Sequence, residues 1–218
     1  MGSGDESGGA RARETARVHA IYQRWASRYD RRIRLLERLL FAEGRRWIGA
    51  EATGEVLEVA LGTGRNLAEY APAVRLTGVE LSPAMLALAR QRAAALGRDL
   101  ALVVGDAQAL PLADASFDSV VITLALCTIP DERAALREAF RVLRPGGRLL
   151  LFEHVGSRVP PVRLLQWLLA PLSLRLSADH LLREPLEAVR AAGFAVECRQ
   201  RAKWGIVERL AARKPPER

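Results

Sequence analysis

Three carboxylates and one glycine turn stand where the ends of β-strands are expected. Glu58 comes four residues before Gly62-Thr63-Gly64, Glu80 comes 22 residues after Glu58, and Asp106 follows a third apolar run. In an open α/β sheet a ligand lies beyond the carboxyl ends of the strands, and a glycine turn after the first strand lets the backbone approach it. The turn alone does not say which ligand. A pyrophosphate-binding turn wants a small residue three positions after its last glycine, for close packing of the following helix; Leu67 stands there instead. Glu58 would repel a pyrophosphate, whereas it suits a sulfonium or ammonium group. Glu80 suits hydrogen bonds from ribose hydroxyls, and Asp106 with Ala107 suits an adenine amino group. The set points to a positively charged adenosyl ligand rather than a dinucleotide.

These residues need a sheet to hold them. From Gly54 onward, short β-branched or Leu-rich runs alternate with helical ones, the pattern of successive βα units. Residues 55–59, 74–80, 100–104, 117–123 and 148–154 read as strands; 66–70, 83–96 and 132–142 read as helices between them. Arg144-Pro145-Gly146-Gly147 ends a helix and opens a strand, because proline cannot continue the one and glycine permits the turn. The fold class is α/β, a doubly wound, mostly parallel sheet. Upstream, Val18, Ile21, Tyr22, Trp25, Tyr29, Ile33, Leu36 and Leu40 recur at three- and four-residue steps, an amphipathic helical period. Ser27-Arg28-Tyr29-Asp30 interrupts that run, so two helices meeting near Asp30 are expected, the second ending near Gly49. Downstream of His154 come an apolar, Arg-bearing stretch over 162–176, a helix near 184–192 and two final apolar runs.

At 218 residues the chain suits one α/β domain with a short appendage. The expected division is a disordered tail over 1–10, amphipathic helices over 11–50 and the main domain over 51–218, with an amphipathic insert at about 156–180. Two cysteines, Cys127 and Cys198, are too few for a disulfide framework, and a reducing, cytoplasmic setting is expected. Residues 1–9 lack the apolar stretch of a secretory signal. The net charge of +8 is local: residues 11–46 hold eleven Arg against Glu14, Asp30, Glu37 and Glu43. Such a surplus draws a protein toward phosphate, on nucleic acid or on an anionic lipid surface.

Taken in order, residues 56–64 (Val-Leu-Glu-Val-Ala-Leu-Gly-Thr-Gly), 78–82 (Gly-Val-Glu-Leu-Ser), 105–107 (Gly-Asp-Ala) and 143–147 (Leu-Arg-Pro-Gly-Gly) resemble the successive motifs of class I methyltransferases. The resemblance covers about residues 50–155. It implies a Rossmann-like, seven-stranded sheet and S-adenosylmethionine as cofactor, held by Tyr29, Glu58, Ala60, Gly62, Thr63, Gly64, Asn66, Glu80, Leu81, Met85, Asp106, Ala107 and Thr123. Ala60 departs from the pattern, standing where the family places the first glycine of its series. Tyr29-Asp30, Phe117-Asp118 and Glu153-His154 are similar to the quinone-biosynthesis and phospholipid N-methyltransferase-like branch. That narrower likeness implies methyl transfer to a small, lipophilic acceptor, whether quinol-like, a thiol or a lipid amine, and peripheral contact with a membrane surface.

Methyl transfer from a sulfonium is an in-line displacement, so alignment matters more than a covalent group, and a base is needed only for a protonated acceptor. His154, ending the fifth strand, is the first candidate for that base. Asp179 and His180 follow the apolar insert and are the next, with Cys127 and Thr128 as weaker ones. The three histidines, His19, His154 and His180, are too dispersed to suggest a metal site, and none is expected. No nucleic-acid partner is expected either: Thr123-Leu124-Ala125-Leu126 stands where a base-methylating enzyme carries an Asn/Asp-Pro-Pro-aromatic tetrad. A cofactor-binding protein without turnover and a nicotinamide oxidoreductase are the competing readings.

Overall fold

The computed structural model describes residues 3–216. Seven strands form one sheet in the order β3-β2-β1-β4-β5-β7-β6. The strands are β1 (Glu55–Val59), β2 (Arg75–Glu80), β3 (Leu100–Val104), β4 (Phe117–Thr123), β5 (Leu143–His154), β6 (Ala195–Ala202) and β7 (Val207–Arg213). The first five are parallel, while β7 runs antiparallel to both β5 and β6. The order reverses between β1 and β4, which makes their carboxyl ends the switch point where a crevice opens.

Helices cover both faces. On one, α4 (Glu132–Val142) and α6 (Leu186–Ala191) pack on Leu57, Val59, Val120, Ile122, Leu149 and Leu151. On the other, α2 (Ala42–Glu51) and α3 (Pro83–Ala95) meet Val56, Leu76, Val121, Leu150 and Phe152. Neighbours such as Val56 and Leu57 thus feed opposite cores, as the two-residue period of a strand requires. Sequence sets the helix starts plainly. Ser82 accepts the N–H of Met85 at 3.2 Å with Pro83 following, and Asp131 accepts the N–H of Ala134 at 2.9 Å.

Three expectations are corrected. The backbone is helical from Ser3, within α1 (Ser3–Leu36), where a disordered tail is expected; Met1 and Gly2 lie outside the described residues. Extending a helix already anchored downstream costs far less than nucleating one. Helix α1 also runs straight through Asp30, because that carboxylate bonds across to Thr63 and Arg92 instead of capping a new helix. The interruption comes later, as a π-helical turn at Glu37–Phe41. Residues 66–70 make three-residue turns rather than a helix, with the Leu67 N–H on Gly64 O at 3.2 Å and that of Glu69 on Asn66 O at 2.8 Å. The Asn66 and Tyr70 side chains are drawn inward to Glu58 there. The apolar insert is a helix, α5 (Pro160–Ser177), none of whose residues is buried.

Candidate active site

A cleft of about 900 Å³, part of it open to solvent, lies beyond the ends of β1, β2, β3 and β4, roofed by Thr15, Val18, His19, Tyr22 and Tyr29 of α1. Glu58 forms its floor. The carboxylate is 4% exposed and accepts from Asn66 Nδ2 and Tyr70 Oη, each at 2.8 Å. Asn66 is fixed in turn, since its Oδ1 accepts from Arg45 at 2.8 Å while Arg45 pairs with buried Glu37. Burial pushes the Glu58 carboxyl up to about 7, against the pull of the Tyr70 bond and the Arg45 charge. A buried carboxyl held near neutrality beside a cavity favours a cation placed next to it.

Glu80 is ordered by backbone. The N–H groups of Gly62 and Ser82 donate to its two oxygens at 2.9 Å each, tying the glycine turn to the end of β2. Burial nonetheless raises its pKa. Both oxygens keep free lone pairs for hydroxyl donors. Asp106 accepts from the Gln108 N–H at 2.9 Å and from its side-chain amide at 3.0 Å, and that amide also donates to Thr15 of the roof. Three carboxylates at three strand ends therefore face one cleft.

The turn beside them carries backbone strain and open space. Gly62 has φ +60° and Gly64 φ +74°; a Cβ at Gly62 would meet nothing within 4 Å, whereas one at Gly64 would lie 2.7 Å from Leu67 Cδ1. Gly62 thus leaves room on the cleft side, and Gly64 makes room for Leu67 behind it. Ala60 adopts φ +54° and Leu124, across the cleft, φ +53°. Non-glycine residues held in that region cost about 1–2 kcal/mol each and cluster at functional sites. Helix α1 is latched over the turn by Asp30, which accepts from Thr63 Oγ1 at 2.7 Å and pairs with Arg92. Although burial works against it, these bonds hold the Asp30 carboxyl below its ordinary range. Gln23 adds a second latch, accepting from Ser82 Oγ at 2.7 Å and from the Ala84 N–H at 3.1 Å.

Of the cofactor residues expected from the sequence, Tyr29, Glu58, Ala60, Gly62, Thr63, Glu80, Leu81, Met85, Asp106, Ala107 and Thr123 line this cleft; Gly64 and Asn66 stand behind it. His154 and Asp179 meet, with His154 Nε2 3.0 Å from Asp179 Oδ1, but neither lines the cleft. His180 is exposed, and its backbone N–H donates to Cys127 O at 3.0 Å. Thr128 lines the cleft and Cys127 is buried behind it. Sequence reading missed Arg45, Gln108, Thr15, Val18, His19 and Tyr22. A polar side chain two residues past Asp106 was a signal for Gln108; the roof residues carry none beyond their helical period.

A family model described as a methyltransferase domain matches residues 57–151. The chain is 39% identical to a ubiquinone/menaquinone biosynthesis C-methyltransferase of Paracoccus denitrificans, over 69% of this chain and 63% of that protein. It is 35% identical to a demethylmenaquinone methyltransferase of Thermus thermophilus, over 81% of this chain and 92% of that one. The chain thus spans less than two thirds of the first relative's length and nearly all of the second's. Among solved structures, a SAM-dependent methyltransferase of Thermotoga maritima superposes with a TM-score of 0.71 at 22% identity, covering 90% of this chain and 99% of that one. That last likeness speaks to the fold.

Proposed function

The chain belongs to the S-adenosylmethionine-dependent methyltransferases, in the branch that holds the quinone-biosynthesis enzymes, and from that premise we propose that it methylates a lipophilic, quinol-like acceptor. The observation that carries the reading is the mixed lining of the cleft. Glu58, Glu80 and Asp106 supply acidic groups to it, while Val18, Tyr22 and Ile129 supply apolar and aromatic ones. Glu80 would hold the ribose, Asp106 and Ala107 the adenine, and Glu58 with the Gly62 turn the charged methionine portion. Open space at Gly62 and the buried, near-neutral Glu58 support that fit. The cofactor supplies an activated methyl group. The chain's own contribution is to align the acceptor with it and to exclude water beneath the α1 roof, the source of most of the available rate enhancement.

Peripheral membrane contact belongs to the same proposal. No helix among the described residues is long and apolar enough to cross a membrane. Helix α5 instead exposes Leu164, Leu165, Trp167, Leu168, Leu172 and Leu176, each more than half exposed, with Arg158, Arg163 and Arg175 around them. It is held to the domain by polar contacts: Gln166 accepts from the Ser157 N–H at 2.7 Å, and Arg17 donates to Leu174 O at 2.5 Å. A contiguous apolar surface flanked by cations is the character of a helix that lies in a lipid interface.

Labelled S-adenosylmethionine incubated with the protein and reduced, demethylated polyprenyl quinols should yield a labelled organic-soluble product. Label recovered only in RNA or protein after incubation with whole extract would overturn the reading.

A further inference from the structure

Behind the cleft wall, three segments far apart in sequence converge. Cys127 lies in the turn after β4, His154 is the last residue of β5, and Asp179 follows the C-cap of α5. Adjacent parallel pairing of β4 with β5 brings the first two together, and the His180 N–H on Cys127 O pins the third onto the same turn. The placement of Asp179 carries strain: Ala178 before it is buried and adopts φ +56°. Glu153 fixes the other side, accepting the N–H groups of Ala125 and Leu126 at 3.0 and 3.1 Å.

One ligand atom each from Cys127, His154 and Asp179 lies within 4.8 Å of the others. His154 Nε2 and Asp179 Oδ1 stand 3.0 Å apart as an ion pair, and His154 Nδ1 has no partner among the described residues. A thiol, an imidazole and a carboxylate gathered at this range out of three separate segments, with a buried ring nitrogen left unbonded beside them, suit a shared third centre. A tetrahedral zinc site, with bonds of about 2.0 Å to nitrogen or oxygen and 2.3 Å to sulfur, would set these atoms roughly 3.4 Å apart, within reach of small side-chain adjustments. A thiolate, an imidazole and a carboxylate together select a borderline-soft ion such as Zn²⁺ over Mg²⁺ or Ca²⁺.

We propose that Cys127, His154 and Asp179 bind one zinc-class divalent ion directly behind the wall of the acceptor cleft. Three protein ligands leave a fourth position for solvent. Thr128, next in the chain to Cys127, lines the cleft and sets the site one residue from it. The absence of a metal expected from the sequence rested on the spread of the histidines, and the fold replaces two of them with a cysteine and an aspartate.

The test uses the full chain, loaded with Zn²⁺ or Co²⁺ and dialysed. Elemental analysis should find one equivalent of zinc, and the cobalt form should show a thiolate-to-metal charge-transfer band in the near ultraviolet. Cys127→Ser should abolish that band, and Asp179→Asn should weaken zinc binding by about tenfold or more. Melting curves and cofactor calorimetry on each variant establish that it folds, and Asp179→Asn serves if Cys127→Ser does not. Substoichiometric zinc, a cobalt spectrum without the band, or equal binding by folded variants would overturn the site and leave His154 and Asp179 as an ion pair alone. None of these readouts involves methyl transfer, so their failure leaves the proposed activity standing.

Discussion

Replacing Glu58 with Gln sets the stability of the free protein against its affinity for a charged ligand. Burial carries the carboxyl from 4.5 to about 7 in the folded chain. At about 1.4 kcal/mol per pH unit, ionising it in place costs the folded state about 3 kcal/mol. The sign follows from proton binding. Between pH 4.5 and 7 the folded state holds a proton that the unfolded state has released, so stability falls as pH rises through that window and the full cost is felt above it. Glutamine avoids the cost. It also forfeits the bond donated by Tyr70 Oη, because its one carbonyl oxygen must face Asn66 Nδ2, whose own oxygen is held by Arg45, and its amide group then faces the tyrosine. One lost bond is worth about 1 kcal/mol. The variant should therefore be about 2 kcal/mol more stable than the wild type at pH 8.5 and about 1 kcal/mol less stable at pH 4.5, with melting temperatures shifted by roughly 2–4 °C per kcal/mol. Calorimetry at pH 8.5 should show S-adenosylmethionine bound at least about tenfold more weakly, for the loss of about 1.4 kcal/mol or more of charge attraction. Equal melting shifts at both pH values, or undiminished binding, would refute the assignment of Glu58 as the buried counter-ion.

Four further substitutions probe the surrounding parts. Gly62→Ala and Gly64→Ala both place a side chain at positive φ, at about 1 kcal/mol each, but only the second meets Leu67. Gly62→Ala should keep its melting temperature within a few degrees yet lose cofactor binding, whereas Gly64→Ala should lose about 2–3 kcal/mol of stability in urea unfolding as buried Leu67 is displaced. Asp30→Asn should lower stability by about 1 kcal/mol at neutral pH and weaken cofactor binding through the loosened turn. Because the folded Asp30 titrates below 3.8, that difference should fade as urea midpoints are followed down through this pH. Leu168→Glu on α5, at a position 60% exposed, should leave the melting temperature unchanged while lowering co-sedimentation with anionic phosphatidylglycerol vesicles; unchanged co-sedimentation would remove α5 from the lipid interface.

The parallel core was legible because its signals are local. Short runs such as 117–123 bury nearly every residue, and Ser82-Pro83 and Asp131 cap the helices that follow. A capping side chain acts within three residues, so a reader of sequence sees cause and effect together. The same rule misled at Asp30, whose type and position match a cap while its partners, Thr63 and Arg92, lie 33 and 62 residues away. Propensity reports what a residue does with its neighbours in the chain, and a long-range carboxylate partner outweighs it.

The site divides along the same line. Glu58, the glycine turn, Glu80 and Asp106 were readable because each sits at the end of its own strand, and a parallel sheet brings strand ends together without further information. The roof was not readable, because a three-to-four-residue period says that α1 has an apolar face but not that Tyr22 and Tyr29 turn it toward the cleft rather than a core. Cys127, His154 and Asp179 lie furthest from view. Their meeting needs the β4–β5 pairing, the length of α5 and a left-handed alanine at its end, three conditions of which only the first leaves a local trace. Side chains drawn from a turn, a strand end and a helix end are invisible to spacing rules built on short motifs, and their meeting becomes visible once topology has fixed which strand ends are neighbours.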